Sequence, residues 1–186
     1  MKRCLVAVLA CIMAVPVLTF AQGEPGYNKS SLGATFEVSI PVGDFSNVAG
    51  TGYGGNLRYQ WGANPRTAVT ATAGYLVWGK KDLGSVTTVQ PLTSTTNSVQ
   101  PKAFNIFIGG KYYFTDGFYG TLEGGGYFLT YTYEGNAVGA QGNTFWFMLP
   151  IGIGFQKSGF ELGVRYMLLA VDYNNFSFTL GYNFML

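Results

Sequence analysis

The chain of 186 residues contains no histidine, and that absence removes several chemistries together. A Ser-His triad, a histidine-dependent lipase or protease and the common zinc sites all require an imidazole. Cysteine is nearly missing as well, because Cys4 and Cys11 are the two present and both stand close to the amino terminus. Nucleophilic catalysis therefore lacks its usual thiol and its usual base. Charge is scarce: Asp, Glu, Lys and Arg make up 11% of the chain, against about 25% in an ordinary soluble domain. Long apolar runs are lacking beyond the first twenty-one residues, so nothing there reads as a membrane-crossing helix of about 20 residues. What remains is a chain that is 48% hydrophobic and 17% aromatic, with its apolar residues dispersed.

The amino-terminal segment has the three parts of a secretory signal. Lys2 and Arg3 give the positive start, Leu5 to Leu18 the apolar run, and Thr19-Phe20-Ala21 a small-x-small cleavage site. Cleavage is expected after Ala21, leaving Gln22 first. An anchor helix would need a longer run without the break at Pro16. Leu9-Ala10-Cys11 superficially offers a lipidation cysteine, but few apolar residues precede it. Removing Lys2 and Arg3 lowers the basic count from 11 to 9, which equals the 9 acidic residues. A net charge of zero implies neither nucleic acid nor an anionic surface as partner. Loss of both cysteines leaves no disulfide. The expected organisation is a signal peptide over 1–21, a polar periplasmic lead-in over 22–30 and one domain over 31–186.

Apolar residues recur at every second position throughout that domain. The pattern is plainest at the end, where Phe176, Phe178, Leu180, Tyr182, Phe184 and Leu186 alternate with Ser177, Thr179, Gly181 and Asn183. It returns around Leu32–Ile40, Tyr53–Trp61, Val69–Val77, Phe104–Phe114, Phe118–Phe128, Phe145–Phe155 and Phe160–Leu168, giving about eight strands. In the fifth, Gly124-Gly125-Gly126 suggests a bulge. A membrane-like composition spread over alternating strands predicts an all-β fold, an eight-stranded antiparallel up-and-down transmembrane β-barrel.

Connections alternate in length, as such a barrel requires. Asn64-Pro65, Asp116-Gly117 and Ser158-Gly159 are compact turn signals, whereas the segments near 44–52, 79–102, 134–143 and 172–175 are the outer connections. An even strand count places both termini on the turn side, the periplasm. The stretch Gly84 to Gln100, rich in Ser, Thr and Val, is either an irregular loop or a hairpin rising above the membrane. Length limits the pore: sixteen strands of about 9 to 11 residues would consume roughly 144 to 176 residues, and removing twenty-one of 186 leaves 165. A large general porin is excluded.

Charged residues fix the phase. With apolar positions outward, Glu37, Arg58, Lys111, Glu123, Glu161 and Arg165 all face the lumen, beside Trp78, Phe107, Tyr113 and Trp146. The opposite phase would put each Arg or Lys near the hydrocarbon midplane at roughly 2 to 4 kcal/mol. Three acids and three bases suit a paired network in a narrow interior. Glu161, four residues from Arg165 on one strand face, is a candidate partner for it, while Glu123 and Glu37 depend on the barrel's shear. Aromatics form two candidate girdles, Trp61, Phe114, Phe118, Phe155, Phe160 and Phe184 near the turn ends and Tyr53, Tyr75, Phe145 and Phe176 near the loop ends.

Ile40-Pro41-Val42-Gly43-Asp44-Phe45, Gly50-Thr51-Gly52-Tyr53-Gly54-Gly55, Gly109-Gly110-Lys111-Tyr112-Tyr113-Phe114 and Leu162-Gly163-Val164-Arg165-Tyr166 carry a resemblance. With them the chain resembles the small outer-membrane β-barrel domains common in Bacteroidetes, related in form to the OmpA and OmpX type. The resemblance implies a bacterial outer-membrane location, lipid as solvent, and delivery by periplasmic chaperones to the barrel-assembly machinery. The ending Thr179-x-Gly181-x-x-Phe184-x-Leu186 is similar to the signal which that machinery reads, with Leu in place of the commoner Phe.

No catalytic residue, metal site or cofactor is expected. Glu123 and Glu161 have the chemistry of a glycosidase pair, but Lys111 and Arg165 on the same face point to ion pairing. Gly50, Gly52 and Gly55 fit a dinucleotide-binding spacing without the surrounding strand-helix unit. The leading expectation is a monomeric, non-enzymatic barrel with a filled lumen, acting in envelope structure or surface interaction, its surface ligand unspecified. The alternative is a narrow channel for small solutes. A soluble lipocalin-like barrel would place charge outside, and too little charge is present for that.

Overall fold

The structure is a computed structural model that describes residues 30–89, 92–134, 141–168 and 174–186. The expected signal peptide and nearly all of the lead-in lie outside the described residues. Nine strands form among those described: β1 (Ser31–Pro41), β2 (Gly52–Asn64), β3 (Thr67–Trp78), β4 (Lys81–Val89), β5 (Leu92–Tyr113), β6 (Phe118–Glu134), β7 (Gln141–Lys157), β8 (Phe160–Leu168) and β9 (Asn175–Met185). One helical turn, α1 (Phe45–Val48), joins β1 to β2.

All neighbouring pairs are antiparallel, and the sheet closes on itself. β1 pairs with β9 from Ser31↔Met185 to Pro41↔Asn175, and β3 pairs with β5 from Thr67↔Tyr112 to Val77↔Lys102. The result is a closed eight-stranded up-and-down barrel of β1, β2, β3, β5, β6, β7, β8 and β9. β4 stands outside that ring. It pairs with the far part of β5, from Lys81↔Val99 to Val89↔Leu92, so the Ser- and Thr-rich segment is a hairpin continuing β3 and β5 beyond the barrel.

Alternation makes each strand two-sided, with polarity inverted relative to a soluble protein. In β1, Ser31, Gly33, Thr35, Glu37 and Ser39 are buried inside while Leu32, Phe36 and Ile40 are exposed outside. β9 repeats the pattern. Leu149 departs from it, being 8% exposed despite its outward phase.

The three short connections gather at one end and explain themselves chemically. Pro65 presets its own φ, and the Arg66 amide donates to Asn64 Oδ1 at 2.9 Å, an Asx turn. Ser158 and Gly159 both hold positive φ, 52° and 88°, as a two-residue type I′ hairpin requires. The opposite end carries α1, the β4–β5 hairpin and the two remaining connections.

The expected bulge at Gly124-Gly125-Gly126 is absent. Register is unshifted along β6, from Ser98↔Glu134 to Tyr113↔Tyr119 against β5 and from Phe118↔Phe155 to Thr132↔Gln141 against β7, where the pairing skips Glu123 and Gly124. Two of these glycines supply room instead: a Cβ on Gly125 would strike the Ile106 carbonyl and Phe107, and one on Gly126 would strike Phe145.

Candidate functional site

The lumen is built from the inward positions of all eight strands, and it has two storeys. In the storey nearer the turn end, all six charged residues foreseen from the sequence come together. Glu37, Arg58, Lys111, Glu123, Glu161 and Arg165 are each between 0% and 3% exposed.

They divide into two linked groups. Glu161 on β8 sits in one, where its Oε1 lies 2.5 Å from Arg58 Nη1 and 3.2 Å from Lys111 Nζ. The Tyr119 hydroxyl donates to the same oxygen at 2.6 Å, and Asn183 Nδ2 donates to Oε2 at 2.8 Å. Lys111 also donates to Gln156 Oε1 at 3.0 Å and stands over the Tyr119 ring, 4.1 Å from its centroid. In the other group, Arg165 bridges two acids, with Nη2 at 2.7 Å from Glu37 Oε2 and Nη1 at 3.1 Å from Glu123 Oε2. Asn56 Nδ2 donates to Glu37 at 2.6 Å, and the Thr70 hydroxyl donates to Glu123 at 3.1 Å. Thr72 joins the groups, accepting from Arg58 Nε at 3.2 Å and donating to Glu123 Oε1 at the same distance.

The expected Arg165 partner Glu161 is therefore corrected. Residues four apart on an extended strand are separated by about 13 Å, too far for a direct ion pair. Arg165 instead reaches across the lumen to β1 and β6, and Glu161 reaches to β2 and β5. Charge balance holds inside this storey, since three acids face three bases. Such a closed set answers the cost of burying charge that each member would carry alone.

Glycine seats the network. A Cβ on Gly154 would collide with the Tyr119 side chain, which lies along the inner wall across β7 and β8 toward Glu161, and one on Gly163 would strike Thr179 Oγ1 and crowd the Tyr119 hydroxyl. Gly152 likewise leaves room for Arg165, and Gly74 for Asn56. These seats were missed by sequence reasoning, which weighed inward residues by charge and bulk.

The storey nearer the loop end is mainly apolar, with Ser39, Asn175 and Ser177 buried at its edge. Phe45 and Ala49, from α1 and its C-terminal cap, fold into the mouth and join Leu76, Trp78, Phe107, Tyr127, Leu129, Met148 and Met167. Phe45 packs edge-on against Trp78 with ring centroids 5.3 Å apart, and Tyr127 meets Trp78 and Phe107 at 5.8 Å and 5.6 Å. Trp78 Nε1 donates to Ser39 Oγ at 3.1 Å, satisfying the buried indole. Trp78, Phe107, Tyr113 and Trp146 all take their expected inward positions. Phe45 was read as loop; the signal available was Gly43, whose φ of 61° turns the chain back over the mouth.

Outside, Trp61, Phe114, Phe118, Phe160 and Phe184 are exposed near the turn end, with Phe155 half-buried against Phe118 at 4.9 Å. Tyr53, Tyr75, Phe145 and Phe176 are exposed nearer the loop end. Tyr182, Phe104 and Phe128 extend these rows. The suspected assembly signal is split between faces. Phe184 and Leu186 lie on the outer wall, whereas Thr179 and Gly181 face inward, where a Cβ on Gly181 would strike Thr35. Among the described residues no group of three His, Cys, Asp or Glu side chains is placed to hold a metal ion.

No protein-family model matches the chain, and no curated protein matches it. Solved structures do. A crystal structure of Ail, the attachment invasion locus protein of Yersinia pestis, superposes with a TM-score of 0.57 at 14% identity, covering 85% of this chain and 99% of that one. Another, of Ail in complex with the heparin analogue sucrose octasulfate, gives 0.54 at 16% identity, with coverage of 85% and 99%. At such identity the likeness is one of fold, the closed up-and-down barrel.

Proposed function

We propose that the chain is an integral outer-membrane barrel without enzymatic activity, whose lumen is a structural plug and whose loop end acts in envelope structure or surface interaction. The observation that carries this reading is the lumen's double filling. A charge network occupies one storey and an aromatic core capped by α1 the other, so all six lumen charges are engaged in ion pairs that hold the barrel rather than lining a solute path. An eight-stranded barrel has an interior just wide enough for its own side chains.

Location follows from the outer wall. Leu57, Ile106, Ile108, Ile153 and Leu162 are exposed between two aromatic rows, and in water such a surface would drive aggregation. In lipid it is the favourable arrangement, with the short turns and both termini toward the periplasm. The motifs shared with small Bacteroidetes barrels support placing it in that family, and Phe184 and Leu186 on the outer wall of the last strand suit recognition by the barrel-assembly machinery. The β4–β5 hairpin supports a surface role, since β5 at 22 residues spans about 70 Å, against an apolar band about 25 Å tall.

Single-channel recording of the refolded barrel in planar bilayers tests the plug. Silence is expected; large steady currents would favour a solute channel.

A further inference from the structure

The outward positions of the eight barrel strands carry almost no charge. Among the described residues, Lys157 and Glu134 occupy strand tips, and Lys102 lies within an outward row, on β5. Register shows what surrounds it. Tyr75, Phe104, Phe128 and Phe145 are lateral neighbours across β3, β5, β6 and β7, forming the loop-end aromatic row. One outward step farther, about 7 Å along the strands, the next row reads Val77, Lys102, Thr130 and Asn143.

We infer that this second row is a docking site for the phosphorylated sugar headgroup of an outer-leaflet glycolipid, with Lys102 and Asn143 as donors and the aromatic row below as a ledge for an acyl chain. The inference rests on the outer wall facing lipid. A shallow cleft of about 400 Å³ lies between β6 and β7, one strand over from Lys102, lined by Phe128, Leu129, Thr130, Asn143, Thr144 and Phe145. Phe128 and Phe145 floor it with centroids 4.9 Å apart. The Thr130 hydroxyl donates to Asn143 Oδ1 at 3.1 Å, which leaves Nδ2 to donate elsewhere. None of the ion pairs among the described residues involves Lys102. Lys102 and Asn143 are two strands apart, about 10 Å, a span that a phosphorylated disaccharide bridges. The chain's overall neutrality is compatible with this, because what matters is a cation placed at headgroup height beside an apolar ledge.

The test uses the mature barrel folded in zwitterionic micelles, titrated with lipid A and followed by backbone amide shifts. Folding of every variant is scored separately by heat-modifiability, so failure of the membrane reading and failure of this one are distinguishable. Saturable shifts are expected at residues 100–104, 128–132 and 143–145. Lys102→Gln should weaken apparent affinity roughly five-fold, while Lys102→Arg retains it and Lys157→Gln leaves it unchanged. Lipid A stripped of phosphate should bind as weakly as lipid A does to Lys102→Gln, and inorganic phosphate alone should produce no shifts. The inference is overturned by shifts distributed evenly around the folded barrel, by full affinity in Lys102→Gln, or by phosphate-free lipid A binding as well as the intact molecule.

Discussion

Glu161 receives four partners, so its removal exposes the logic of the lumen residue by residue. Glu161→Ala would leave Arg58 and Lys111 buried without their shared counter-charge. Breaking such a pair costs about 3 to 5 kcal/mol, whereas Lys81→Ala on the exposed hairpin should stay within about 0.5 kcal/mol. Urea unfolding of the barrel in vesicles measures both. Pairing is tested by double-mutant cycles. Arg165 with Glu37 should show a coupling energy of about 0.5 to 3 kcal/mol, while Arg165 with Glu161 should be nearly additive. Equal coupling in the two cycles would contradict the observed partition. At this scale the sequence revealed which charges share the interior, because parity alone assigns faces. It did not reveal who meets whom, because that depends on shear, which sets the heights at which strands from opposite walls align. Nor did it mark Gly154, since that glycine's use lies in the Tyr119 ring it admits from another strand.

Elements were legible where period two runs long and turn chemistry is local. β9 could be read from Phe176 to Leu186 directly, and Ser158-Gly159 announced its hairpin. Illegible were the features governed by the third dimension. Gly124-Gly125-Gly126 resembles a bulge in one strand, yet its neighbours' side chains take up the space and register is kept. α1 spans only four residues, too short for a periodic signal, but it seats Phe45 at 2% exposure in the lumen mouth. Phe45→Ala should therefore cost about 3 to 5 kcal/mol, although the residue lies in a connection; a loss below 1 kcal/mol would show that the mouth is sealed without it. At the last strand, replacing Phe184 and Leu186 with Asp should lower outer-membrane levels and raise periplasmic degradation. Carboxylates on the outer wall lose apolar recognition groups and add desolvation cost. Unchanged levels of folded barrel would refute that role, and Thr179→Ala provides a contrast, because Thr179 faces the lumen and should alter stability more than delivery.

At the level of the whole barrel, the two storeys lie in series along the axis, and conduction requires both to be open. Phe45→Ala disturbs the aromatic storey while the charge network beneath stays intact, and Arg165→Ala disturbs the network while Phe45, Trp78 and Tyr127 stay packed above it. Each single variant should therefore remain silent in planar bilayers and yet unfold at lower urea concentration than wild type. A solute channel makes the opposite demand. Its lumen charges would face water and ions, so Arg165→Ala would change conductance or ion selectivity with thermal stability near wild type. The complete burial of Glu37, Glu123 and Glu161 favours the first outcome, since a carboxylate removed from water is held by its partners and leaving those partners alone is penalised in folding free energy. The decisive measurement pairs planar-bilayer recording with urea unfolding on the same preparations of wild type, Phe45→Ala and Arg165→Ala. Silent bilayers with graded loss of stability fit the plug; steady wild-type currents whose selectivity shifts in Arg165→Ala, at unchanged stability, would replace it with the pore.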